Sequence, residues 1–167
     1  MIRLRHPFLT TALVLTVIVL TISCVRPFSE TALSKINRRI SFSELKKDPE
    51  KYKGAWLMLA GVIVDSRNTK EGTIIEILQK PMDSDGRPLQ TDSTEGRFIV
   101  RSDQFLDSAV YHRGREITVI AEVIGRKELP LGEIMYQYPL LVIKELALWE
   151  PSSGPHFFFG VGVTHQL

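Results

Sequence analysis

The residue with the most reactive side chain is Cys24, the one thiol in a chain of 167 residues. A thiol can serve as a catalytic nucleophile, fill a core, join another chain through a disulfide, or accept a covalent lipid. A disulfide within the chain is excluded, because it needs a second cysteine. Cys24 ends a stretch, residues 8–23, that contains no charged residue, and this stretch decides among the other uses.

The first 23 residues have the layout of an export signal. Arg3 and Arg5 give a positive start, an uncharged and mostly apolar run follows, and Ser23 is a small residue before Cys24. This order is typical of a secretory signal peptide. The alternative is a membrane-spanning anchor, which needs roughly 20 apolar residues, whereas this run is shorter and contains several threonines. We therefore predict a signal peptide over residues 1–23.

The residues around the predicted cleavage site resemble a bacterial lipobox, Leu20-Thr21-Ile22-Ser23-Cys24, although Leu20 stands one place earlier than in the usual pattern. The resemblance implies a diacylglycerol on the Cys24 sulfur, cleavage between Ser23 and Cys24, and acylation of the new amino terminus. Two or three acyl chains anchor a protein stably where a single chain does not. The predicted partner of this end of the chain is therefore membrane lipid.

The charge of the chain argues against a nucleic-acid partner. The whole sequence has 21 Lys and Arg residues against 19 Asp and Glu residues. Removal of residues 1–23 removes Arg3 and Arg5 and no acid, so the mature chain is neutral. A neutral surface offers no electrostatic attraction to nucleic acid.

The mature chain divides into three predicted parts. Residues 24–39 form a short polar segment, and we expect a lipidated tether there. Residues 40–151 form the predicted folded domain, and residues 152–167 form a tail rich in glycine and aromatic residues. Val25 follows the cysteine where inner-membrane lipoproteins of enterobacteria carry Asp, which favours transport to the outer membrane.

The pattern of residues 40–151 predicts a mainly β fold with one short helix at its start. Ser41 and Glu44 form a capping box, the signature of a helix N-terminus. Gly61 marks an expected bulge or bend in the first strand. Apolar alternation and turn residues predict five strands, at residues 56–65, 73–79, 97–102, 115–125 and 135–149. Five strands with glycine bends indicate a small OB-like β-barrel.

Ten elements of the domain follow one another in the order and spacing of a known family. With the lipobox, they resemble the Slp family of outer-membrane lipoproteins from Cys24 to about Pro151. The resemblance implies a lipid-anchored protein of the Gram-negative outer membrane that faces the periplasm, lacks catalytic activity, and meets the lipoprotein processing and sorting machinery. The elements are Tyr52-Lys53-Gly54, Gly61-Val62-Ile63, Thr73-Ile74-Ile75-Glu76-Ile77, Pro81-Met82-Asp83, Gly96-Arg97-Phe98, Phe105-Leu106-Asp107, Tyr111, Gly125, Tyr136-Gln137-Tyr138-Pro139 and Leu148-Trp149.

No residue pattern predicts an enzyme, a metal site or a cofactor. The four histidines lack the spacing of metal ligands. Asp83-Ser84-Asp85-Gly86 resembles the start of a calcium loop, but Asp92 stands where that loop needs a Glu, so we predict a polar turn. Nucleophile elbows, phosphate loops and dinucleotide fingerprints are not found in the sequence.

Two functions remain open for the predicted barrel. It acts either as an interaction module for other envelope proteins or as a small-ligand binder at the barrel mouth near residues 81–96. An OB-like nucleic-acid binder is the least favoured reading, because the second and third strands offer one stacking aromatic, Phe98. The tail residues Phe157, Phe158 and Phe159 are a candidate interaction surface, with an edge strand that covers the barrel as the alternative.

Overall fold

The computed structural model describes residues 27–150 of the chain. The signal peptide, Ser23, Cys24 and the tail residues 157–159 lie outside the described residues. Within residues 27–150, no helix is both long and apolar enough to cross a bilayer. The elements are α1 (Glu30–Lys35), α2 (Phe42–Lys47), a 3₁₀ helix (Pro49–Tyr52), β1 (Trp56–Thr69), β2 (Gly72–Lys80), β3 (Arg97–Ser102), β4 (Glu116–Leu131) and β5 (Ile134–Leu148).

The five strands close into a barrel in the order β1-β2-β3-β5-β4, which confirms the predicted OB-like architecture. Four of the strand pairs are antiparallel, and β3 pairs with β5 in parallel at residues 99–101 and 140–142. Closure gives every strand two neighbours around the barrel wall. Within the closed part of the wall, each strand is therefore paired on both sides.

The barrel interior is filled by inward-pointing side chains. Phe42 and Leu45 of α2 cover one end, where the ring of Phe42 lies 5.7 Å from that of Phe98 at the start of β3. Leu106 and Tyr111, from the connection between β3 and β4, pack against the same core beyond the other end of β3. The strand residues of the core are Leu57, Leu59, Ile63, Ile75, Ile77, Phe98, Val100, Ile117, Val119, Ala121, Val123 and Leu141.

Helix α2 begins at the predicted capping box. The Ser41 hydroxyl accepts from the Glu44 amide at 3.2 Å, and the Glu44 carboxylate accepts from the Ser41 amide at 2.9 Å. The two bonds satisfy two backbone donors that a bare helix start leaves free. Donation to the Glu44 carboxylate from the Ser41 backbone amide, and from the Ser41 hydroxyl at 2.8 Å, lowers the pKa of Glu44.

Helix α1 lies in the segment whose polar composition predicts a tether. Ser29 caps it, since its hydroxyl accepts from the Ala32 amide at 3.1 Å. Phe28 and Ala32 are buried against Ile120 on the outer wall of the barrel. Phe28 precedes the N-cap, Ala32 lies within α1, and the partly buried Ile36 is the C-cap, so the segment packs an apolar residue against the barrel at every fourth position. The folded part of the chain therefore includes residues from Phe28 onward.

The hairpin of β4 and β5 is longer than the sequence predicts. The sequence pattern ends the fourth strand at residue 125 and begins the fifth at residue 135, but both strands continue to a tight turn at Gly132 and Glu133. Within residues 27–150, the backbone pairing of residues 126–139 is confined to β4 and β5, so this segment is a two-stranded ribbon with no further strand beside it. Proline, which has no backbone N–H to donate, is tolerated in such a strand because the outer edge of the strand has no hydrogen-bonded neighbour.

Gly61 marks a close approach of two strands rather than the expected bulge. The register of β1 against β2 shifts between Ile63 and Asp65, two residues further on. At Gly61 a β-carbon would stand 2.2 Å from the main-chain oxygen of Leu78. A larger side chain would therefore force β1 and β2 apart at this point.

Candidate functional site

The predicted lipidation site lies four residues before the first buried side chain of the fold. Cys24 and Ser23 are outside the described residues, so the local geometry begins at Phe28. The Ser29 amide donates to the Glu145 carboxylate at 2.9 Å, and the Ser29 hydroxyl donates to its other oxygen. These contacts fix the chain to β5 immediately after Phe28.

Helix α1 covers part of the outer wall formed by β1, β4 and β5. Leu33, Ile36, Met58 and Ala147 pack around the buried residues of this cluster. At the end of the helix, Ile36 forms a β-bridge with Trp56, and the Asn37 amide donates to the Trp56 carbonyl at 2.8 Å. The cluster holds α1 to the barrel at both of its ends.

Basic residues surround the indole of Trp56, which is half-buried at the start of β1. The Lys35 ammonium lies 4.7 Å from the ring centroid and the Lys144 ammonium lies 5.5 Å from it. Arg38 and Arg39 follow α1 and are exposed. Cations near an aromatic ring are stabilised by its electron-rich face. Tryptophan beside lysine is also a common pairing at lipid–water interfaces.

A polar network lies on the outer side of β2, β3 and β5. One carboxylate oxygen of Glu76 accepts from the Arg97 guanidinium at 2.8 Å and from the Tyr138 hydroxyl at 3.3 Å. Burial raises the pKa of Tyr138, and the Glu76 charge raises it further. The hydrogen bond to Glu76 likewise raises the pKa of Arg97. The network therefore keeps Tyr138 protonated and Arg97 charged, which suits positioning more than proton transfer.

Tyr136 joins this network to the start of β3. Its hydroxyl accepts from the Arg97 amide at 3.1 Å, and its ring lies 4.6 Å from that of Tyr138 in an edge-to-face arrangement. Gly96 makes room for the hydroxyl, because a β-carbon there would lie 2.4 Å from it. Gly96 also has a φ of +131°, which a residue with a side chain rarely adopts.

The long connection between β2 and β3, residues 81–96, folds back over the outer wall of β1 and β4. The predicted polar turn is present, since the Asp83 carboxylate accepts from the Asp85 and Arg87 amides. The Thr118 hydroxyl donates to the Gly86 carbonyl at 2.6 Å. These contacts tie the connection to β4.

A buried carboxylate holds the middle of the same connection. The carboxylate of Glu116, at the start of β4, accepts from the Arg87 guanidinium at 3.1 Å and also from the side-chain amide of Gln90. The Arg87 guanidinium donates in addition to the Glu150 carbonyl at 2.7 Å and lies over the ring of Trp149. The connection therefore also contacts Trp149 and Glu150, which follow β5.

An open groove of about 400 Å³ lies between this connection and the barrel. Val62, Lys80, Leu89, Asp92 and Glu116 line it. Since Val62 and Glu116 point away from the core, the groove is on the outer wall. The expected ligand position at the barrel mouth is instead filled by packed side chains.

The remaining described residues add two observations. Among residues 27–150, no three His, Cys, Asp or Glu side chains are close enough together to hold a metal ion. Phe105 is 73% exposed, and Ile134 and Met135 at the ribbon tip are 61% and 64% exposed. The sequence reasoning missed the ribbon tip, although two large apolar residues beside a glycine turn are the signal for it.

The family model of the outer membrane lipoprotein Slp family matches residues 22–157 of the chain. The chain belongs to this family. It is 27% identical over 101 residues to the uncharacterized lipoprotein YeaY of Escherichia coli, covering 60% of this chain and 52% of that protein. It is 25% identical over 109 residues to the outer membrane protein Slp of the same organism, covering 65% of this chain and 57% of that protein.

The chain thus spans somewhat over half the length of the curated relatives it matches. Glu76, Arg97 and Tyr136 belong to three different sequence motifs of the Slp resemblance and to one hydrogen-bond network. These three motifs therefore lie side by side in the fold. The sequence could place them in order along the chain but not side by side.

Proposed function

We propose that the protein is a non-catalytic module of the Gram-negative outer membrane, anchored by acyl chains on Cys24. The observation that carries the proposal is the extent of the family match, which begins at residue 22 and so includes Ser23 and Cys24. The filled barrel supports a role in which the outer wall binds or braces another envelope protein on the periplasmic side. The processing and sorting machinery for lipoproteins would be its partners during export.

The experiment that tests the anchor is the intact mass of the membrane-extracted protein. We expect a mass that lacks residues 1–23 and includes acyl chains, in a fraction with the density of the outer membrane. Cys24→Ala should remain uncut and without lipid, because the sulfur accepts the diacylglycerol. Ser23→Ala is the matched control and should mature normally, because alanine is also small. An uncut, unlipidated wild-type chain would contradict the proposal.

The tail residues Phe157, Phe158 and Phe159 belong to the same proposal as a candidate surface for the partner. Adjacent aromatic residues are typical of protein and membrane contacts. Deletion of residues 157–167 should leave the melting temperature of the domain unchanged and remove crosslinks to the partner. A large fall in melting temperature would show that the tail is part of the fold.

A second candidate function is the binding of a small polar ligand. The groove of about 400 Å³ favours it, because Lys80, Asp92 and Glu116 place charges of both signs along a wall that also carries Gln90 and Thr91. A ligand of this kind should raise the melting temperature of the wild type and lose this effect in Lys80→Ala. If no compound in a library of small polar metabolites raises the melting temperature, this second candidate function is refuted.

A further inference from the structure

The connection between the proposed lipid and the barrel is short. Phe28 is 6% exposed, and Ser29 is bonded twice to Glu145, so the chain is part of the fold from this point. Four residue steps separate Cys24 from Phe28, and extended backbone covers at most about 14 Å in that number. Whatever path the connection takes, the barrel wall at Phe28 stays within this distance of the Cys24 backbone.

This reach is small beside the domain itself. A compact domain of about 120 residues has a radius of gyration near 14 Å and hence a radius of about 18 Å. To turn its opposite wall toward the lipid, the domain would need to hold Phe28 about 36 Å above the bilayer surface. That height is more than twice the reach of the connection. The barrel therefore cannot turn the wall opposite α1 toward the lipid.

The side that carries α1 also has suitable chemistry for a lipid surface. We define the α1 face as α1 with Arg38, Arg39, Trp56 and Lys144. The ammonium groups of Lys35 and Lys144 lie 4.7 and 5.5 Å from the centroid of the Trp56 ring, and the two arginines that follow α1 in sequence are exposed. Basic residues favour contact with phosphate-bearing headgroups, and tryptophan prefers the interfacial layer.

The α1 face contains one acidic residue, Glu30, and two acidic side chains near it, Glu122 and Glu145, have partners within the fold. Glu122 pairs with Lys144 at 2.8 Å, and Glu145 accepts both hydrogen bonds from Ser29. The charges of Glu122 and Lys144 therefore partly compensate each other, whereas Ser29 holds the Glu145 carboxylate without a countercharge. The basic residues that remain for lipid phosphates are Lys35, Arg38 and Arg39.

We infer that the α1 face lies against a phospholipid headgroup layer and fixes the orientation of the barrel on the membrane. The inference rests on the proposed lipidation of Cys24. The opposite wall, with the network of Glu76, Arg97 and Tyr138, then faces away from the lipid, where another envelope protein can reach it.

The test compares two exposed lysines in the full-length acylated protein. Lys35→Cys places a spin label on the α1 face. Lys70→Cys, the matched control, places one at the turn between β1 and β2, far along β1 from the α1 contacts at Trp56 and Met58. The acylated sulfur of Cys24 takes no label. The label's collision rate with a water-soluble nickel chelate is measured in vesicles of phosphatidylethanolamine with phosphatidylglycerol and again in detergent.

In vesicles, the label at position 35 should collide with the chelate several-fold less often than the label at position 70. Twelve flexible residues inserted between Arg26 and Pro27 add a mean span of about 19 Å, and this insertion should remove most of the protection. Equal accessibility of the two labels in acylated protein would overturn the inference, as would protection that the insertion leaves unchanged. A mass without acyl chains would instead refute the proposed function, so the two failures are distinguishable.

Discussion

Replacing Phe28 with alanine tests whether the N-terminal segment is part of the fold. Phe28 forms the centre of a buried cluster with Ala32 and Ile120. Truncating a buried phenylalanine costs about 3–5 kcal/mol. Because this cluster lies on the outer wall and can partly collapse, we expect a loss of about 3 kcal/mol in the free energy of unfolding. For a domain of this size, that loss corresponds to a fall in melting temperature of roughly 10 °C.

The assay is urea unfolding of the chain from residue 25 onward, followed by the fluorescence of Trp56 and Trp149. With a denaturant slope of about 1.5 kcal/mol per molar, the midpoint should move down by about 2 M. Phe105→Ala is the matched control, because Phe105 is 73% exposed and its loss should change stability by no more than about 0.5 kcal/mol. If Phe28→Ala and Phe105→Ala have equal midpoints, residues 27–36 are a tether and the reasoning is refuted.

Two further predictions concern the barrel wall. Gly61→Ala should destabilise the domain by about 3 kcal/mol in thermal melts, because its β-carbon would stand 2.2 Å from the Leu78 main-chain oxygen. The control Gly114→Ala, at a φ of +89° with open space around the added β-carbon, should lose only about 1 kcal/mol. Equal losses in the two variants would contradict the close-approach argument. Since burial and the Glu76 charge raise the pKa of Tyr138 above its ordinary 10.0, the folded state keeps a proton that the unfolded state loses, and stability should fall as the pH rises above about 10. Tyr138→Phe should show a shallower fall in urea titrations at successive pH values, and an unchanged slope would exclude this cause.

The strands that form the barrel were the most predictable part of the fold. β3 has the bounds that its apolar pattern predicts, and the Ser41 and Glu44 capping box places the start of α2. Both depend on neighbours along the chain, which a sequence displays directly. The five-stranded closure follows from strand number and glycine bends, and the structure confirms it.

Helix α1 shows where composition misleads. Residues 24–39 are polar on average, and the average conceals Phe28, Ala32 and Ile36 at intervals of four. Three apolar residues at this spacing around a serine cap are a weak signal, because a helix of six residues does not stabilise itself. The burial against Ile120 supplies the missing stability, and that contact joins residues far apart in sequence.

The polar network was beyond sequence reasoning for a similar reason. Glu76 and Tyr138 are 62 residues apart and meet only because β5 lies beside β3 in the closed barrel. The groove beside Glu116 likewise forms only once residues 81–96 fold back over β4. Such sites depend on which strands become neighbours, and the strand pattern alone does not give that order.

The parallel pairing of β3 with β5 has a consequence for the time course of folding. Hairpins such as β1–β2 and β4–β5 can form from local contacts within microseconds. The barrel cannot close until residues 140–142 reach residues 99–101, and such distant contacts slow folding to milliseconds or longer. A chain that is exported from its N-terminus would therefore present an open, apolar strand edge until nearly the whole domain has crossed. The moment of greatest aggregation risk falls just before the last strand arrives.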